Sequence, residues 1–168
     1  MLTAALATKL IRQILVDYNF WPQSESDSPL KVARSRIVLD DKAILFRDAA
    51  MRKAAAADPT YKPPSRRIEY KTLDQTFKPL VASALTEIQT NAESVQNGTA
   101  ELETLEMPLE QSEFLVQLYS AFKQLANPKV CYVVDGDNIS SDPYTGLFII
   151  GETSDGEVII AQTLLVQT

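Results

Sequence analysis

The sequence carries no histidine and a single cysteine, which removes the commonest catalytic constellations at once. There can be no Ser-His-Asp or Cys-His pairing, no imidazole metal ligand and no histidine pH switch. Chemistry would fall to carboxylates, Lys, Arg, Tyr and hydroxyls. Cys131 sits in Val130-Cys131-Tyr132-Val133, a buried-strand context in which only Lys129 could depress a thiol pKa, so a structural cysteine is expected. Asp135-Gly136-Asp137-Asn138 invites a calcium-loop reading. An EF-hand, however, needs an oxygen ligand at its fifth position, glycine at the sixth and Glu at the twelfth. Ile139, Ser140 and Gly146 stand there, so a turn between strands is the better reading. A hydrolase working on two carboxylates has thirteen acids to draw on in residues 81–168, but their spacing selects no pair. The five glycines are scattered at turns and form no phosphate-cradling loop.

Charge is unevenly distributed. Residues 1–80 hold 14 Lys and Arg against 9 Asp and Glu, a balance of +5; residues 81–168 hold 2 against 13, a balance of −11. Arg34 and Arg36 share one strand face and Arg66 and Arg67 lie elsewhere, a basic set that could meet nucleic acid. The acidic second half argues against that and favours a basic protein partner, since complementary fields speed encounter. At 168 residues, 45% apolar and 23% charged, the chain can bury a core, and one domain over 1–168 is expected. The first basic residue is Lys9, behind an apolar stretch with helical spacing, so the start reads as an amphipathic helix and not as a signal sequence. No run approaches the roughly 20 apolar residues of a membrane span. A cytoplasmic protein, monomeric when free, without membrane contact or cofactor, is expected, and the lone cysteine fits a reducing compartment. The Asn97-Gly98-Thr99 sequon is then a chance match.

The positioning elements follow from periodicity. Leu6, Leu10, Ile11, Ile14 and Leu15 predict a helix over about 3–18 with Thr3 as N-cap. A turn-rich loop, 19–29, leads into a strand over 31–39. Asp40 or Asp41 caps a helix over 42–57, and three prolines make 58–65 a loop. A strand over 66–73 precedes a short third helix capped by Asp74, with Pro79 kinking or ending it. Residues 86–107 are polar, with Asn97-Gly98 as a turn, and are expected to be helix followed by a mobile acidic loop. Pro108 begins another helix, whose stripe is Phe114, Leu115, Leu118, Tyr119, Phe122 and Leu125. Strands over 130–134, 144–152 and 157–166 close the chain, the last two joined by a two-residue Asp155-Gly156 turn. Apolar residues on both faces of 147–150 call for helices on both sides of an antiparallel or mixed sheet.

Two segments carry a resemblance. The loop Ser24-Glu25-Ser26-Asp27-Ser28-Pro29-Leu30-Lys31-Val32 resembles the serine- and glutamate-rich loop of the nuclease A inhibitor family. The stretches Asn127-Pro128-Lys129-Val130, Ile149-Ile150-Gly151-Glu152-Thr153 and Leu165-Val166-Gln167-Thr168 are similar to that family's Asn-Pro-Gln-Val, Val-Ile-Gly-Glu-Thr and Val-Val-Glu-Thr segments, in the same order. Together these cover about a third of the chain. The resemblance implies an α-β-α sandwich with pathogenesis-related-protein-class-1-like topology. It implies a non-enzymatic inhibitor of a metal-dependent, sugar-nonspecific DNA/RNA endonuclease, working by occlusion. It assigns partner contact to Ser24, Glu25, Ser26, Asp27 and Thr168, with Glu25 and Thr168 approaching the partner's Mg²⁺ and no metal held by this chain itself. Ser28, Lys31 and Gln167 depart from the family pattern, which has an aromatic residue and two Glu at those places. An interaction module of the same fold with another partner is the second reading, and a carboxylate-dependent hydrolase the third.

Overall fold

Thr3 accepts the Leu6 N–H on its hydroxyl and opens α1 (Ala4–Asp17), which buries Ala4, Ala7, Ile11, Ile14 and Leu15 along one stripe. The computed structural model describes residues 1–22, 24, 28–136 and 142–166. The order continues with β1 (Lys31–Ser35), α2 (Asp41–Ala55), β2 (Arg66–Lys71) and α3 (Leu73–Gln96). A 3₁₀ turn (Leu102–Leu105), α4 (Glu106–Lys123), β3 (Ala126–Asp135), β4 (Tyr144–Glu152) and β5 (Val158–Val166) complete it.

All strand pairings are antiparallel, in the order β1-β5-β4-β3-β2. Helices pack on both faces. Against α1, α3 and α4 lie Val130, Leu147, Ile149, Ile159, Ala161 and Leu165. The alternate positions Cys131, Val133, Phe148, Ile150, Val158 and Ile160 meet Ile44 of α2 and Leu39. β4 is therefore buried on both sides from Gly146 to Gly151, as its unbroken apolar run requires. No helix among the described residues is long and apolar enough to cross a membrane.

Several boundaries differ from expectation, each for a local reason. β1 stops at Ser35, whose hydroxyl accepts from the Ile37 N–H at 3.3 Å and donates to the Ile37 carbonyl at 2.9 Å, turning the chain away from the sheet. α2 is capped by Asp40, not Asp41. α3 is neither short nor capped by Asp74: it runs 24 residues from a Thr72–Gln75 capping box and carries Pro79 in its interior, exposed. Asp74 instead accepts from the Tyr119 hydroxyl of α4 at 2.6 Å and pairs with Lys78. Residues 86–96 thus continue α3, and Gly98, at φ +75°, makes the turn. α4 begins at Glu106, ahead of Pro108, because the 3₁₀ turn feeds directly into it. The β4–β5 connection is five residues, 153–157: the Thr153 carbonyl accepts the Gly156 N–H at 3.2 Å, and Gly156 takes the left-handed position at φ +80°.

Candidate functional site

One end of the sheet gathers the loop before β1, the proline-rich loop before β2, the β3–β4 connection and the last residues of β5. The loop before β1 is closed at its base by the Leu30 N–H donating to the Asn19 carbonyl at 2.8 Å. Its entry is anchored by Trp21, buried edge-on against Phe77, and its exit by buried Leu30. Two further bonds fasten it to β5. Ser24 Oγ accepts the Val166 N–H at 3.2 Å, and the buried Thr163 hydroxyl donates to the Ser28 carbonyl at 3.0 Å. Of the sequence-predicted contact residues, Ser24 is therefore joined to the end of β5. Glu25, Ser26, Asp27 and Thr168 lie outside the described residues, as do Gln167 and Asp137–Ser140 of the calcium-loop pattern.

Beside this loop end lies an ionic cluster that the sequence reading missed. Ile44, Asp48 and Arg52 follow at i, i+4 and i+8 on α2, so all three point at the sheet, and Asp48 and Arg52 are fully buried. Arg66 Nη1 of β2 donates to Asp48 Oδ2 at 2.6 Å, and Arg52 Nε lies 2.9 Å from the same oxygen, an ion pair whose N–H is not aimed along the contact. Arg52 Nη2 donates to the Val133 carbonyl at 2.9 Å, and Nη1 reaches Asp142 Oδ1 at 3.4 Å. Asp142 also accepts from the Tyr61 hydroxyl and from the Tyr144 N–H. The i, i+4 spacing of Asp48 and Arg52 in the same stripe as Ile44 was the available signal, since charges on an apolar stripe must be paired when buried.

The cluster ties α2, the proline-rich loop, β2, β3 and the start of β4 into one unit. Asp48 Oδ1 finds no donor among the described residues and sits over Gly146, where a Cβ would come within 2.1 Å of it. Burial drives the Asp48 carboxyl up from the usual range, while Arg66 and then Arg52 pull it back. The Tyr61 hydroxyl is pushed up to about 12, chiefly by burial and then by Asp142, so it stays a neutral donor. Apart from Asp48 Oδ1, these groups bond one another and clamp together the elements that carry them. Cys131 is fully buried and its thiol is pushed up to about 12 by burial, against a weaker pull from Lys129, so it is inert. Among the described residues, no group of three or more His, Cys, Asp or Glu could hold a metal ion.

No protein-family model matches the chain, and comparison with curated proteins finds no match.

Proposed function

We propose that this protein is an inhibitor of a metal-dependent, sugar-nonspecific nuclease, presenting its serine-rich loop and the residues after β5 as one plug, with the topology of the pathogenesis-related class 1 sandwich. The observation that carries the reading is the Ser24 Oγ–Val166 N bond at 3.2 Å, seconded by Thr163 to Ser28, because it brings together the two segments on which the family resemblance rests. Helices on both faces of an antiparallel sheet agree with the implied sandwich. In this reading Glu25 and Thr168 address the partner's hydrated Mg²⁺, a hard cation that takes oxygen ligands directly or through water, with Ser26 and Asp27 beside them. A loop pinned at both ends loses less entropy on docking than a free one. The protein acts in the cytoplasm, by occlusion, without turnover.

A nuclease assay at rising inhibitor concentration tests this. Stoichiometric loss of DNA and RNA cleavage is the expected outcome, weakened at least tenfold by Glu25→Gln and by a form extended beyond Thr168. Full cleavage at excess protein sinks the reading. A second reading, an interaction module of the same fold with another partner, draws on exposed Lys31 at the start of β1, where the family pattern has an acid.

A further inference from the structure

The two faces of the sheet are unequally covered. Five strands about 4.8 Å apart span about 19 Å, and a helix with its side chains covers about 10 Å, so one helix cannot roof a face. Among the described residues, three helices roof one side and α2 alone lies on the other. Beside α2 a trough of about 820 Å³ runs between its flank and the β1 edge, lined by Leu39, Phe46, Met51 and Ala54 with Gln162 at its floor. A second hollow of about 320 Å³ shares Met51, Ala54 and Gln162 and continues to Pro29 and Leu164. The combined channel thus follows β1 from end to end. Phe46 on its wall is 77% exposed.

We propose that this channel docks an acidic amphipathic helix of a partner protein, about three to four turns long. Its length is that of the helix it would lie beside, since the 15 residues of α2 rise about 22 Å. Its chemistry follows from the charged lining, which is Lys31, Lys42 and Arg47 against Asp40 alone. The Asp40 carboxylate is already engaged as the α2 N-cap. Apolar walls beside basic residues select a leucine-type stripe flanked by carboxylates. A second copy related by a twofold axis would set these bases against themselves. A strand added to β1 meets a five-residue edge bearing Lys31 and Arg34, a composition that discourages pairing. The channel reaches the loop before β1 at Pro29, but its wall at Lys42 and Phe46 belongs to α2, so Phe46→Glu tests it apart from the inhibitor reading.

The probe is a helix-stabilised 15-residue peptide with Leu at i, i+4, i+7 and i+11 and Glu on both flanks, followed by fluorescence anisotropy. The control replaces every Glu by Lys. Saturable one-to-one binding of the Glu peptide is expected, weakening with salt and falling at least tenfold in Phe46→Glu. The Lys peptide should bind wild type at least tenfold more weakly and regain affinity for Lys31→Glu/Lys42→Glu. These three side chains are exposed, so far-ultraviolet dichroism should match wild type, and nuclease inhibition should be unaltered by Phe46→Glu, which lies on α2 and outside the loop before β1. Failure of the Glu peptide to saturate, equal binding of both peptides, or indifference to Phe46→Glu overturns the proposal. So does a wild-type dimer, or adsorption to phosphatidylserine vesicles, that Phe46→Glu abolishes, since either names a different occupant.

Discussion

Gly146 and Asp48 explain each other. β4 needs a residue without Cβ at 146 because the Asp48 carboxylate already occupies the space where one would project. Substituting Gly146→Ala forces the carboxylate, and with it Arg52 and Arg66, out of a packed position, at a cost of about 1–3 kcal/mol. Asp48→Ala leaves two guanidinium groups facing one another without their shared anion, one wholly buried, and should cost about 3–5 kcal/mol. Because both changes act on one contact, their effects should not add. With Asp48→Ala in place, Gly146→Ala should cost little more, and urea unfolding of the two single variants and the double variant measures the coupling. Additive losses would mean that Gly146 answers to some other neighbour.

Asp155 links an element to a turn. Its Oδ1 accepts from the Thr153 hydroxyl at 2.6 Å and from the Ala4 N–H at 2.9 Å, so the β4–β5 turn caps the first turn of α1. The Thr153 hydroxyl and then the Ala4 N–H hold this carboxyl below the usual range. A depressed acid contributes stability above its unfolded pKa and loses it as pH falls through the folded value. Asp155→Asn should therefore melt earlier than wild type at neutral pH, and the difference should close in strong acid. A melting-temperature difference that is flat with pH would remove the carboxylate from this role. Within α3, Pro79 interrupts the ladder at an exposed position and leaves the Gln75 carbonyl without its helical donor. Pro79→Ala should raise stability by about 1–3 kcal/mol in thermal or denaturant unfolding. An unchanged or lower stability would show that Pro79 serves the packing of Phe77 and Leu80.

The whole molecule is a sheet with one heavily covered face and one lightly covered face, and its rigidity should follow that layout. β4 lies between β3 and β5 and under both helical layers, so its amides over 144–151 should exchange most slowly. β1 and β2, at the two edges, should exchange faster. Rapid exchange throughout 144–151 would contradict the central position of β4. The proposed plug at one end and the proposed docking channel along α2 lie on this same frame. Each can be altered alone: Glu25→Gln should affect the first and Phe46→Glu the second.

The sequence determined what depends on near neighbours along the chain. Helix periodicity placed α1 and the core of α4, alternation and apolar runs placed β3, β4 and β5, and the doubly apolar β4 required helices on both sides. Composition alone excluded histidine chemistry, and the apolar context of Cys131 was enough to mark it as inert. What local pattern misjudged was where neighbours compete: Ser35 ended β1 by bonding the Ile37 backbone, and a strong cap with a buried stripe over Leu73–Ala84 carried α3 through Pro79. Tertiary structure alone decided the clamp and the loop attachment. Asp48 and Arg66 are 18 residues apart and Ser24 and Val166 are 142 apart. No periodicity spans such separations, because which residues meet is decided by the order of strands in the sheet and the side on which each helix packs. A buried charge announces only that it needs a partner; the fold chooses which one.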